Sequence, residues 1–311
     1  MTDTDDMTAR IRPLVSELSN SLKQFQASGS KFRILKTVSF TTTKPAVDEP
    51  KPPSPSASPK TLLILDSSFN PPTLAHHHLA TSALAATNAA AQHPKPLRLL
   101  LLFATMNADK APSAATFAQR LALMTVFATD LLSTSTPDNH PLPDVDIGVT
   151  TVPYYTDKSL AITSEGAQSY PDSPKHIHLI GFDTLTRFFN PKYYASLHPP
   201  LSALEPYFSS GHRLRVTLRP DEDYGTIGSQ RAFLKRLADG EMEDEGGKRE
   251  WAQQVELVDP HPEAGVSSTR VRRAAKAGQW EEVGRLCTKG VAEWVRGEEL
   301  YEDDDRGAKM A

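Results

Sequence analysis

The chain has one cysteine, Cys287, in 311 residues. A disulfide framework and a thiolate zinc site both need more than one, so both are excluded, and a reducing compartment is the expected setting. Long hydrophobic runs are lacking too. The longest, Leu97 to Ala104, is interrupted by Arg98 and falls far short of the ~20 residues of a membrane helix. The acidic start Met1–Met7 is followed by no apolar segment, so no secretory leader is expected. Positive charge is not in excess either. The net charge of -4 and pI of about 6.2 offer no global field to nucleic acid or an anionic membrane. Nor does a Walker-type glycine loop occur, so a phosphate site would have to be built another way. A soluble protein of the cytoplasm is expected, with nuclear residence left open.

What is present is enough apolar content, 39%, for one large α/β domain or two small ones. Ile11, Leu14, Val15, Leu18, Leu22 and Phe25 recur at helical spacing, which predicts a packed amphipathic helix over 8–27. Residues 32–40 (FRILKTVSF) read as a strand. The next stretch, Lys44 to Pro59, carries six prolines in 16 residues and reads as a flexible linker.

From Lys60 the pattern is regular. Apolar strands are expected at 61–65, 97–103, 144–150, 175–180, 213–218 and 254–258. Helical patterns lie at 73–91, 116–132, 156–168, 183–190, 228–238 and 268–278. Such alternation argues a doubly wound, Rossmann-like parallel sheet with helices on both faces. Residues 190–210 and 239–250 read as insertions, 280–297 as one or two closing helices, and 298–311 as frayed. The expected division is a helix and strand at 1–43, a Pro-rich linker at 44–60, a domain at 61–300 and a disordered tail at 301–311.

Two stretches carry anion chemistry. In SSFNPPTLAHHH (67–78), Pro72 keeps Pro71 out of the helical region, so a helix can hardly begin before it. Thr73 is then the N-cap and His76 falls in the first turn, on the same side as Thr73. Free N–H groups, the positive end of the helix dipole and an imidazole would converge beside a polar turn. The same residues also suit a plain Pro-rich helix start with a surface histidine. His77 and His78 fan away around the helix, which makes a metal triad improbable and leaves them packing roles.

The second stretch is VSSTRVRRAAKAGQ (266–279). Ser267, Ser268 and Thr269 are N-cap candidates, with Arg270, Arg272 and Arg273 in the first turn. Arginines there oppose the helix dipole, which points to an anion bound at the same end. The alternative is an exposed basic helix. Two such helix starts at the carboxyl edge of one sheet would form a clamp for a triphosphate.

SSFNPPTLAH (67–76) resembles the first signature of the nucleotidylyltransferase superfamily, in the form carried by nicotinamide mononucleotide (NMN) adenylyltransferases. VSSTRVR (266–272) resembles the second, and HLIGFDTLTRFFNPKYY (178–194) looks like the segment between them. The resemblance covers about 60–300, and the Phe-Asn-Pro-Pro form is similar to a fungal branch. It implies a nucleotidylyltransferase-type fold and a transferase of pyridine nucleotide biosynthesis that moves AMP from ATP to NMN, giving NAD and pyrophosphate. By the same resemblance His76 would hold the ATP phosphates as part of a fixed positive field with Arg272. Ser68 and Phe69 would contact the nucleotides through their backbone, with Thr73 in the place of another branch's histidine. Asp183 would bind the nucleotide, where a helix N-cap is its alternative reading. Ser268, Thr269 and Arg272 would grip the β- and γ-phosphates, and Arg270 would assist. Lys110 resembles the family's basic substrate loop, beside a helix bearing Arg120, and can equally be a solvated lysine.

Some positions depart from the pattern. Ser67 stands where the family has glycine, and Ala75 where many branches have a second one. The stacking tryptophans are missing. Tyr194 takes one such place and Tyr154 or Tyr155 approximates the other, and a phenol ring can stack on a flat base. The implied reaction is in-line attack by a mononucleotide phosphate on the α-phosphorus of ATP, with Mg2+ bridging phosphates and held largely by substrate and water. Two other readings remain: an ATPase or transferase of this fold with another acceptor, and a non-catalytic nucleotide-binding protein. The latter would use helix 8–27 and the linker to meet a protein partner that the sequence does not identify.

Overall fold

The computed structural model describes residues 3–40, 45–50, 57–89, 93–105, 115–133, 142–219, 224–260 and 266–302, with side chains at 3–10 and 87–89 left aside. Its centre is an eight-stranded sheet. In chain order the strands are β1 (Phe32–Phe40), β2 (Pro45–Asp48), β3 (Thr61–Asp66), β4 (Leu97–Ala104), β5 (Val145–Thr150), β6 (Lys175–Gly181), β7 (Arg213–Thr217) and β8 (Val255–Val258). Their spatial order is β2-β1-β5-β4-β3-β6-β7-β8. The six strands from β3 onward are parallel, and counted among themselves they run 3-2-1-4-5-6. That is the order of a Rossmann-like doubly wound sheet, which reverses direction between β3 and β6. The crevice outside the carboxyl ends of those two strands is where such folds bind ligands.

The period-2 alternation of β3 explains why it sits at the centre. Leu63 and Leu65 enter one core with Leu99, Leu101, Phe103, Ile147 and Val149. Leu62 and Ile64 enter another on the opposite face with Leu100, Leu102, Ile162 and Tyr170. Arg98, which breaks the longest apolar run, is held inside the fold by Asp146: its Nε donates to Oδ2 at 2.9 Å and its Nη2 to Oδ1 at 3.0 Å. Asp146 also accepts from the Tyr170 and Thr37 hydroxyls.

Helices cover both faces: α1 (Asp3–Ser28), α2 (Leu74–Ala89), α3 (Phe117–Ser133), α4 (Tyr155–Glu165), α5 (Phe182–Phe188), α6 (Glu205–Ser209), α7 (Ile227–Asp239), α8 (Ser268–Lys276), α9 (Trp280–Leu286) and α10 (Lys289–Gly297). The insertion after α5 folds into two 3-10 turns, at 191–194 and 200–204, and then α6. Phe188, Phe208 and Trp251 build a third core there.

The N-terminal division differs from the expected one. Ile11, Leu18, Leu22 and Phe25 of α1 lie in the largest core together with α3 and α10. Strand β1 pairs antiparallel with β5, and part of the Pro-rich stretch forms β2 on its other side. Lys36 ties the three pieces together through ion pairs with Glu17 and Glu49. A proline-rich composition does not prevent an edge strand when the neighbouring strand supplies the hydrogen bonds. At the other end Leu300 and Tyr301 are buried, so the ordered chain runs past the expected end of the domain; 303–311 lie outside the described residues. Among the described residues no helix is long and apolar enough to cross a membrane.

Candidate active site

Strand β3 ends at Asp66, and the polar turn 67–70 follows at the switch point. This turn bends without a glycine: Phe69 is fully buried and takes a left-handed conformation with φ of 42°. Such a conformation costs a bulky residue about 1–2 kcal/mol, which its packing in the core offsets. Helix α2 then starts at Leu74, with Thr73 as N-cap and His76 at the third helical position, as the two prolines require.

His76 is fixed by both ring nitrogens. Nδ1 accepts from the Thr73 backbone N–H at 3.0 Å and lies 2.9 Å from the Thr73 hydroxyl. Because Nδ1 is an acceptor, Nε2 carries the proton, and it lies 2.9 Å from the Ser67 hydroxyl. This is the returning half of a capping box with histidine in the place of glutamate, since the side chain reaches back to the N-cap N–H. Burial pushes the imidazole down to about 4. In the free protein His76 is therefore neutral at pH 7, which corrects the expectation of a positive charge there. What it presents is an oriented N–H. Ser67, the departure from glycine, is the residue that holds that N–H.

The second motif docks onto the first. Ser267 caps α8, accepting from Arg270 N. The Ser268 hydroxyl donates to the Pro71 carbonyl at 2.8 Å. Arg272 donates from Nη1 to the Asn70 carbonyl at 2.9 Å and from Nη2 to the Thr269 hydroxyl at 3.2 Å. The two helix starts, some 200 residues apart in sequence, are thus hydrogen-bonded to each other. Arg270 turns away and pairs with Glu282 in an exposed position, unlike the assisting role expected of it.

Two cavities open on this junction. The larger, about 730 Å³, lies between α2, α8 and the ends of β6, β7 and β8; Thr73, His76, Gly181, Arg219, Ser267 and Ser268 are among its walls. The smaller, about 410 Å³, opens on Ser67 and Ser68 and is walled by Tyr154, Tyr155, Tyr193 and Tyr194. Tyr194 is buried, its hydroxyl donating to the Phe188 carbonyl at 2.9 Å, and its ring lies 6.1 Å from that of Tyr154. Burial pushes the Tyr194 phenol up, out of reach of neutral pH.

The structure brings together Thr73, His76, Ser268, Thr269 and Arg272, and sets Ser68 and Tyr194 in the smaller cavity. Phe69 faces the core, with its ring 5.2 Å from the His76 ring. Asp183 stands across the crevice in the first turn of α5, where Gly181 is the N-cap, so its alternative reading as N-cap is not the one observed. Its carboxylate accepts from Arg219 at 3.2 Å. Lys110 lies outside the described residues. Arg120, by contrast, lines the smaller cavity, stacked on Phe117 with 5.5 Å from its guanidinium carbon to the ring centre. Sequence reasoning missed Lys158 and Asp66, which form a buried ion pair in the wall of the smaller cavity. They lie 92 residues apart in the chain, and only the sheet topology could have paired them.

Among curated proteins, the chain is similar to a Schizosaccharomyces pombe protein named "Putative nicotinamide mononucleotide adenylyltransferase". The two are 29% identical over 241 residues, which cover 77% of this chain and 85% of that one. Among solved structures it is similar to the Plasmodium falciparum nicotinic acid mononucleotide adenylyltransferase complexed with NaAD, at 12% identity and a TM-score of 0.45, over 79% of this chain and 98% of that chain. The same parasite enzyme complexed with APC matches at 11% identity and a TM-score of 0.44, over the same shares. No protein-family model matches. The resemblance carried in the sequence by short motifs thus extends through most of the chain in its curated relative.

Proposed function

We propose that this protein is a nucleotidylyltransferase that moves AMP from ATP to nicotinamide mononucleotide, giving NAD and pyrophosphate. The observation that carries the reading is the seat of His76: it lines the larger cavity, and its protonated Nε2 points at Ser67, which lines the tyrosine-walled one. The likeness to the fission-yeast protein supports it.

In this reading ATP occupies the larger cavity. The N-terminus of α2, with its unpaired N–H groups and dipole, receives the phosphates. Arg272 supplies fixed positive charge, and Ser268 and Thr269 offer the N–H groups of the first turn of α8 to the β- and γ-phosphates. Asp183 faces the nucleoside side. The mononucleotide enters the smaller cavity, its ring against Tyr194 and Tyr154 and its phosphate near Ser68.

A phosphate oxygen of the mononucleotide attacks the α-phosphorus of ATP. The bond from that phosphorus to the oxygen bridging to the β-phosphate breaks, and pyrophosphate leaves with the electron pair. The attacking phosphate is already ionised at neutral pH, so no general base is required. The His76 N–H and the Arg272 guanidinium stabilise the charge that grows at the α-phosphate, and pre-set donors of this kind act through position rather than acid strength. Among the described residues no group of three or more metal-ligating side chains exists. Asp66, Asp183 and Asp259 are each paired with a cation. Magnesium would arrive with the ATP phosphates, whose charge it would neutralise. Incubation with ATP and NMN tests the reading: NAD formation supports it, and consumption of ATP without dinucleotide opposes it.

A further inference from the structure

Resting on that reading, we infer that Lys158 binds the acceptor's 5′-phosphate, and that Asp66 is a positioning residue that aims the Lys158 ammonium. The attacking phosphate must approach the α-phosphorus from the side opposite the departing pyrophosphate. Pyrophosphate leaves toward α8, so the acceptor phosphate comes from the smaller cavity, past Ser67 and Ser68.

Among the described residues three cations line that cavity. Arg187 is exposed. Arg120 is bound through Nε to the Ala115 carbonyl at 3.2 Å and packed against Phe103 and Phe117. Of these three, Lys158 is the one held at the turn itself: it is 5% exposed and paired with Asp66, the residue immediately before Ser67. Its ammonium also lies 4.9 Å from the centre of the Tyr155 ring, which narrows its direction further.

As structure alone this pair makes little sense. Taking two charges out of water costs more than their attraction commonly returns, and an apolar pair would pack as well. A carboxylate one residue from a phosphate turn also repels the ligand the turn is built for. Both features fit if the ammonium is the purpose and the carboxylate its anchor. An ammonium has three donors, so Lys158 can keep Asp66 and still offer N–H groups to a phosphate in the cavity. Asp66 fixes where those donors point, and Lys158 cancels the charge Asp66 would otherwise show to the substrate.

The test uses the full-length protein and compares wild type with Lys158→Gln, Lys158→Arg and the double variant Asp66→Asn/Lys158→Gln. The double variant carries no charge at either position, so it does not strand a buried carboxylate. The expected result is an acceptor KM raised about tenfold or more in Lys158→Gln and in the double variant, with the KM for ATP changed less than about twofold. Lys158→Arg restores part of the loss. A double variant with wild-type acceptor KM would overturn the inference, as would equal movement of both KM values. If wild type forms no dinucleotide, the functional reading falls, and calorimetric titration with NMN decides the role of Lys158 by itself. Weaker NMN binding in the double variant then supports it; unchanged binding, or no binding to wild type, overturns it.

Discussion

Thr73 and His76 hold each other: the Thr73 backbone N–H donates to His76 Nδ1 at 3.0 Å, and the Thr73 hydroxyl lies 2.9 Å from the same nitrogen. The residue that caps α2 thus also chooses the tautomer of the residue expected to act. His76→Ala should leave the fold intact and lower turnover by about a hundredfold, the usual effect of losing one pre-set donor at a transition-state charge. Steady-state turnover with a circular dichroism control checks this. Because burial holds His76 down to about 4, its imidazole NMR signals, assigned by their loss in His76→Ala, should not titrate between pH 5.5 and 7.5. Titration near 6.5 would restore the charged histidine that the sequence alone suggested.

Arg272 and Arg270 are two residues apart yet differently committed. Arg272 reaches the Asn70 carbonyl, whereas Arg270 pairs with Glu282 at the surface. Arg272→Lys keeps the charge but loses the planar fork, and should weaken ATP binding and slow turnover by about tenfold or more. Arg270→Ala should change either by less than about threefold, as exposed ion pairs contribute little. Fluorescence titration with ATP, followed by turnover measurement, separates the two.

This part of the site was legible in the sequence because its constraints are local. Two prolines fix where α2 begins, and a serine run followed by arginines marks the start of α8. Its neighbours were not legible, because long-range pairing made them. Lys158 meets Asp66 only once β3 and α4 share one sheet edge. The strand pattern of β1 carries no information that it lies antiparallel beside β5. The charge state of His76 was misread for a related reason. Sequence shows an imidazole but not the protein atoms that exclude water around it.

Stability should fall as pH drops below the ordinary histidine range. His176 and His178 are buried, and burial lowers both well below that range; burial also lowers His212 to about 4. His176 stacks on His212 at 4.1 Å. These groups stay neutral in the folded state while the unfolded chain takes up protons below ~6.5, so together they make stability fall as pH drops below that point. Above pH ~7 the effect vanishes, and for His212 it levels off near pH 4. Melting temperatures measured from pH 7.5 to 5 check the slope, and His176→Phe should make it shallower.

The N-terminal segment should be indispensable to the fold. Phe25 is fully buried, and Phe25→Ala should cost about 3–5 kcal/mol, a large part of the ~5–15 kcal/mol that holds a typical domain together. Removing residues 1–40 deletes α1 and β1 together, and should yield no cooperative thermal transition. Urea unfolding of Phe25→Ala and a melt of the truncated chain provide the measurements.

The central claim is transfer of an AMP group, and its most direct test follows the α-phosphorus. ATP labelled at that position is incubated with NMN and the products are separated by chromatography. The account predicts label in NAD, with one pyrophosphate released for each dinucleotide formed, and both formed about a hundredfold more slowly in His76→Ala. Label remaining in ADP or AMP, with no labelled dinucleotide from NMN, would contradict it.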